Sequence, residues 1–456
     1  MRETIKKVIL FSVITILCLS AFGCGKTYNP DGPTVKPESD LDVSGTVKFT
    51  YSFGNISQQK SGDDYIAAFQ KKYPNVTVVK DYNPGNIAAR IASGEIGDVF
   101  PMCDTDVYNY AVTQRSLMSL NQYIEPLGLD MSNIYTGVYA LGMIEGEMYM
   151  VCKEYDHVVL TYNRTALKEA GLADPEDGWT WDQFKDYATK LTKSSPNDPN
   201  VLTQCGGVLN YGWDPVYVAF FEGWGGTWYD TETKKINLTS DDVRQGIDEL
   251  LSFAKTGAIK PECCENMDAY ANLTDANYVF TANTYAQLES VGKMFDGIDY
   301  EWDIVSFPKL PVHKVGTGSM GIGVYKYTQN PNAAAALALF MYTDEGQMAF
   351  HKNEGGSVPV TRSLCDADFW RYPEPKANGK DWSGKNFDAY VSFPEADTVG
   401  RVICKLPAAV ASAVTGYWGR VLGEFWSTGS YMNALTTMEK ASNDVWQRIL
   451  RNQDNG

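Results

Sequence analysis

At 456 residues, with 44% hydrophobic and 13% aromatic side chains, the chain is too long for one hydrophobic core and predicts two lobes. Its 56 acidic against 39 basic residues, a net charge of −17, argue against a nucleic-acid partner, because phosphate binding needs clustered Lys and Arg. Nine cysteines with no Cys-x-x-Cys spacing, and only three histidines, predict buried thiols rather than a disulfide framework or a zinc site.

Arg2, Lys6 and Lys7 precede an uncharged, mostly apolar run from Val8 to Gly23. That run has the length of an export-signal core and is short for a membrane span. It ends in Leu-Ser-Ala-Phe-Gly-Cys-Gly, which resembles a bacterial lipobox with Ala21 where Leu is usual. Residues 1–23 are expected to be removed, leaving Cys24 as a lipidated first residue; an uncleaved anchor is the alternative. Residues 24–44 carry Pro30, Pro33 and Pro37 and almost no large apolar side chain, the composition of a solvated linker.

The folded body opens with alternation at Val47, Phe49 and Tyr51, a strand. A helix follows over Asp63 to Tyr73, with Asp63 as N-cap and Pro74 after its end. Asn75 to Tyr82 is a second strand, Asn86 to Glu95 a helix stopped at Gly94, and Gly97 to Asp104 a third strand. This β-α-β-α-β order predicts a parallel sheet, and ligands of such sheets bind at the carboxyl ends of strands. Those ends are Ser52 to Asn55 and Met102 to Asp106, which makes Asp104 a candidate ligand contact.

From Met148 to Arg164 the chain reads as extended, broken by a polar stretch from Lys153 to His157. A short helix from Thr165 to Ala170 ends at Gly171. Thr180 and Gln183 form a capping box for the next helix, with Trp179 and Trp181 expected in the core. Residues 301–311 read as a strand, and residues 321–327 as another. Asn330 and Pro331 are the N-cap and first residue of an alanine-rich helix. Gly316, Gly318 and Gly321 match Gly-x-Gly-x-x-Gly, but the order of neighbouring elements is wrong for a dinucleotide site, so a flexible loop is expected there. No cofactor motif stands out.

In this order the segments Phe69 to Val78, Arg90 to Phe100, Leu160 to Leu172, Gly178 to Phe184 and Asn330 to Gln347 resemble the sugar-binding extracellular solute-binding proteins of bacterial ABC importers. One departure is Gly97, where that family usually has proline. The resemblance implies an α/β fold of the type II periplasmic-binding-protein kind, two lobes joined by hinge strands around a ligand cleft. It implies lobe 1 from residues 45–153 and 308–350, and lobe 2 from residues 154–307 and 351–456. Crossings are expected at 154–157, near 302–308, and after the Asn330 helix. It further implies a lipid-anchored monomer on the outer face of the membrane that captures a carbohydrate and passes it to a permease.

A sugar site needs rings to stack on pyranose faces and polar groups for hydroxyls. By resemblance, Tyr211 and Trp213, Tyr285, and Trp418 fall where the family places stacking rings, and Asp156 where it places a hydroxyl-binding acid. Trp224 is a further candidate. The sequence has no Gly-x-Ser-x-Gly, His-Glu-x-x-His or P-loop. Its many acids leave a glycoside hydrolase, which needs two facing carboxylates, as the rival reading. A peptide or polyol ligand on the same fold also stays open.

Overall fold

Strand β1 (Gly45–Thr50) puts Val47 and Phe49 fully inside, and the chain then runs through helix α1 (Ile56–Lys72), β2 (Val76–Asp81), α2 (Ile87–Ser93) and β3 (Val99–Cys103). The computed structural model describes residues 41–53, 56–260, 277–288, 301–352, 357–371, 384–394, 397–401 and 405–454. β1 pairs in parallel with both β2 and β3, as the β-α-β-α-β reading requires. Gly94 ends α2 at φ 72°, a left-handed cap that costs glycine nothing. One detail differs. Helix α1 starts before Asp63, whose carboxylate accepts from Lys80 (2.6 Å) and Tyr82 (2.9 Å) across to β2 instead of capping backbone.

Lobe 1 closes its sheet with chain from far downstream. β4 (Val151–Cys152) and β12 (Met320–Val324) add antiparallel, giving the order β2-β1-β3-β12-β4. Helix α7 (Pro331–Leu339) packs on it through an unbroken run of buried small and apolar residues from Ala333 to Leu339. Pro331 holds its first turn, but Asn330 makes no capping bond; its amide donates to Thr46 O at 2.9 Å. Helix α8 (Asp344–His351) follows and packs on α1.

Lobe 2 is built on β6 (Val159–Asn163), every residue of which is buried, in the order β10-β6-β9-β8-β7. Here β7 is Lys193–Ser194, β8 Leu202–Val208, β9 Tyr278–Asn283 and β10 Trp302–Ser306. Helix α3 (Arg164–Glu169) leads to α4 (Trp181–Leu191), which buries Trp181, Phe184, Ala188 and Leu191, one face at helical spacing. The Thr180–Gln183 capping box is formed, and Trp179 Nε1 donates to Ser306 O at 2.8 Å, so both tryptophans are core. Helix α5 (Asp214–Glu222) is buried from Asp214 to Phe221. α6 (Asp241–Ala254) packs on it, and α9 (Ala408–Thr428) and α10 (Met432–Asp454) pair beside them.

A third sheet joins the lobes: β5 (Asp156–His157), β11 (Val315–Gly318) and β13 (Thr398–Val399), in the order β13-β11-β5. The polar stretch after Lys153 contributes Asp156–His157 to this sheet. The second crossing is not at 302–308, because that segment pairs with β6 as the edge of the lobe 2 sheet; the crossing is β11. The third comes later than expected. Val358 and Val360 still belong to lobe 1, their carbonyls accepting from Tyr155 and Tyr135 N–H, whereas Lys385 and Asn386 already bond to Trp302 and Asp303 of β10, before the chain adds β13 to the crossing sheet.

β11 also replaces the expected flexible loop at Gly316 and Gly318. A Cβ at Gly316 would lie 2.1 Å from Pro215 O, one at Gly318 3.4 Å from Arg401 Cδ and Asp104 Oδ2, and one at Gly321 2.4 Å from Val151 O. Gly316 and Gly321 are there for close approach of neighbouring backbone, while a Cβ at Gly318 would make ordinary contact. The described cysteines Cys103, Cys152 and Cys205 are free, while Cys263, Cys264 and Cys404 lie outside the described residues. Gly316→Ala is expected to destabilise the protein by about 1–3 kcal/mol, the usual cost of overpacking a tight site. Urea unfolding checks this; an unchanged midpoint would contradict the packing described.

Candidate functional site

The centre of the crossing sheet is polar. β3 ends at Cys103, and Asp104, 0% exposed, begins a single 3-10 turn. Asp104 is held to the β11–β12 junction by two bonds: its N–H donates to Ser319 O (3.0 Å), and its Oδ2 accepts from Ser319 N–H (3.1 Å). Its Oδ1 is buried without a hydrogen-bond partner. Arg401, just after β13, lies over Gly318 with its Nη1 3.8 Å from that oxygen and its Nε 3.3 Å from Asp214 Oδ2 at the start of α5. One guanidinium therefore spans a carboxylate of lobe 1 and a carboxylate of lobe 2.

On the other side of β11, Asp156 sits opposite Gly318 in register. The residue is half-buried, but its Oδ1 is buried and unpartnered. Burial pushes its carboxyl up to about 7, the Glu154 charge adds to the rise, and hydrogen bonds from Thr284 and the Ala286 N–H oppose it. Burial likewise pushes Asp104 up to about 6, against the pull of Arg401 and the Ser319 N–H. Glu154 behaves oppositely. Burial disfavours its charge, but contact with Lys153 and the Ser357 hydroxyl (2.8 Å) outweighs this and holds it low. Its Oε1 also accepts from Met320 N–H at 3.2 Å.

Neutral imidazoles brace the crossings. His157 contacts Tyr390 O through Nδ1 at 3.0 Å, and His351 contacts Lys153 O through Nε2 at 2.6 Å; burial pushes both down to about 4, so each nitrogen donates to its carbonyl. Phe393 lies between the rings of His157 and His313, at 5.5 and 5.2 Å.

The remaining expected contacts are distributed unevenly. Tyr211 (0% exposed) and Trp418 (2%) are core residues of lobe 2, with Trp418 Nε1 donating to Tyr211 O at 2.8 Å and its ring 4.7 Å from Tyr217. The loop chemistry around Tyr211 predicted an accessible ring; docking of α9 covers it. Tyr285 is buried against Trp370, Phe387 and Tyr390, its hydroxyl donating to Trp370 O at 2.6 Å. Trp224 stacks on Phe220 and packs over Gly246, joining α5 to α6. Trp213 is half-buried at the N-cap of α5, next to Asp214 and the crossing strand. The structure therefore groups Asp104, Asp156 and the Trp213–Asp214 step around β11, and puts Tyr211, Trp224, Tyr285 and Trp418 into packing roles. Arg401 and Ser319 have no local sequence signal; Asp214 has one, an acid beside proline at a helix start.

Two α/β lobes joined by three crossing strands, with charged groups gathered at the joint, define a two-lobed solute-binding protein. The chain belongs to the bacterial extracellular solute-binding protein family, whose model matches residues 54–348. Binding rather than glycoside hydrolysis is the activity of that family, which decides between the two readings. Among solved structures, the chain is similar to the sugar-binding protein MalE from Xanthomonas citri (13% identity, 90% of this chain and 100% of that one, TM-score 0.70). It is similar to an ABC substrate-binding protein from Listeria monocytogenes in complex with cycloalternan (18% identity, 88% and 99%, TM-score 0.64). A cyclic alpha-maltosyl-1,6-maltose binding protein from Arthrobacter globiformis is a third (15% identity, 89% and 100%, TM-score 0.65). At these identities the likeness is one of fold.

The raised Asp156 carboxyl carries a signed consequence. A carboxyl held above its unfolded value of ~3.9 stabilises the fold fully below that value, and loses the contribution as pH rises through about 7. Asp156→Asn removes the titration, so the variant's melting temperature relative to wild type is expected to climb between pH 4 and pH 8. Scanning fluorimetry across that range reads it; parallel curves would mean Asp156 titrates normally.

Proposed function

We propose that the protein captures a carbohydrate, an oligosaccharide by preference, in the cleft between its lobes and delivers it to the permease of an ABC importer. The observation that carries this reading is the set of buried, unpartnered acceptor atoms Asp104 Oδ1 and Asp156 Oδ1 at the crossing sheet and Asn283 Oδ1 at the end of β9. Leaving such atoms unpaired is costly, and sugar hydroxyls are donors of the right kind. The names of the similar structures, which include a sugar-binding protein and one bound to cycloalternan, point the same way. The division of the chain that goes with this reading assigns residues 45–153 and 320–365 to lobe 1. Residues 158–314 and 400–454 form lobe 2, and the three crossings lie between. Hinge bending about these crossings, favoured by contacts that ligand makes with both lobes, is the working cycle.

Asp104, Asp156 and Trp213 are the proposed ligand contacts, with Tyr211 and Trp418 shaping the loop that presents Trp213. Mass spectrometry of ligand released from purified protein, followed by titration calorimetry with that sugar, tests the reading. Trp213→Ala is expected to cost about 1–3 kcal/mol of binding free energy, as truncated aromatic anchors do. Wild-type affinity in a folded Trp213→Ala variant would remove this residue from the site, and recovery of a non-carbohydrate ligand would overturn the function.

The same reading has the mature protein anchored through a lipid on Cys24, with residues 25–44 as a tether holding the lobes off the membrane. Cys24→Ser is expected to move the protein from the membrane fraction to the medium. Retention of the variant in membranes would favour an uncleaved anchor.

A further inference from the structure

The polar joint is unbalanced in charge. Within reach of the short stretch Gly318 to Met320 lie the carboxylates of Asp104, Asp156 and Glu154, and Arg401 links Asp104 to Asp214. Asp106 adds a further carboxylate, which accepts from Cys103 N–H at 3.2 Å; burial pushes it up, against that bond and the Arg401 charge. Against these five acids stand two described cations, and both are engaged. Arg401 is divided between Asp104 and Asp214, and Lys153, with only 14% of its side chain exposed, is paired with Glu154.

A second observation is independent of the acids. Asn283, 2% exposed at the end of β9, uses its Nδ2 to donate to Thr161 Oγ1 (2.9 Å) and Thr281 O (2.8 Å). Because a backbone carbonyl can only accept, this fixes which end of the amide is which. The end left without a partner is the acceptor Oδ1. Asn283 precedes Thr284, whose side chain bonds to the Asp156 carboxylate. Carboxylates and amide alike thus present acceptors and ask a ligand for donors.

Resting on the carbohydrate reading above, we infer that the cleft selects its ligand by charge, taking neutral or amine-bearing oligosaccharides and rejecting those that carry carboxylate, sulfate or phosphate. Hydroxyl or ammonium groups satisfy the free acceptors. An anionic group meets like charges, and the two cations that could answer it are already neutralised by protein carboxylates.

The test applies wild-type protein at pH 8 to an immobilised glycan library with neutral, amino-bearing, and carboxylate- or sulfate-bearing members, with affinities of retained glycans measured by calorimetry. The retained set is expected to lack acidic groups, and the acidic derivative of the best-retained glycan should bind about a hundredfold more weakly or not at all. An acidic glycan bound as tightly as its neutral counterpart overturns the inference while leaving the carbohydrate reading standing. Retention of no glycan at all overturns the carbohydrate reading itself. In the double variant Asp104→Asn/Asp214→Asn, which releases Arg401, the neutral-to-acidic gap should shrink to about tenfold. A gap unchanged in that variant, once folded, removes these two acids from the selection.

Discussion

The contact on which the architecture turns is that of the α5 N-terminus on β11. Pro215 O lies where a side chain at Gly316 would be, so the helix that carries Trp213 and Asp214 touches the crossing strand directly. The three crossing strands are only two to four residues long, and few backbone bonds hold them together. The apolar packing does not stop at the joint: one buried cluster runs from the lobe 1 sheet to Val159, Tyr285, Trp302 and Ile304, so bending must work against side-chain packing as well as the few backbone bonds of the crossing strands.

The same joint collects charge that neither core could hold. Burial of a carboxylate is expensive unless a partner is close, and the three central acids grade by how close that partner is. Glu154 touches Lys153 and stays ionised. Asp104 has its guanidinium 3.8 Å away and shared with Asp214, so burial wins. Asp156 has no cation in contact and a like charge nearby, and is raised furthest. Distance to the counter-ion, more than burial itself, decides which of these groups is left wanting a partner from outside.

Much of the fold was legible because its signals are local. The capping box at Thr180, Pro331 at a helix start, Gly94 at a helix end and the alternation at Val47 each act within a few residues, and each stands in the structure. The joint was harder to read. β11 looks like a loop because glycine is depleted in strands, and here glycine is present for close approach to other elements. Residues 301–308 look like any strand, and only pairing with β6 tells that they end a lobe instead of leaving it. For the candidate site, strand-end position singled out Asp104 and the polar interruption Asp156, and the two lie on either side of β11. Arg401 reaches partners 297 and 187 residues upstream in the chain, and no local pattern announces such a contact. Tyr211 and Trp418 mislead for a related reason: a ring in a glycine-rich loop is buried once a distant helix docks over it.

The placement of β12 also bears on how the chain is made. In lobe 1, β3 and β4 each have β12 as a partner, and β12 begins at residue 320. A chain emerging from its N-terminus must therefore carry these strands with open edges until most of the sequence has been synthesised, and the joint waits longer still, for residue 398. Contacts this distant in sequence make folding slow, since the loops must close before the pairing rewards them. For a polypeptide threaded through a membrane before it folds, that delay is useful: lobe 1 cannot complete itself too early to be moved.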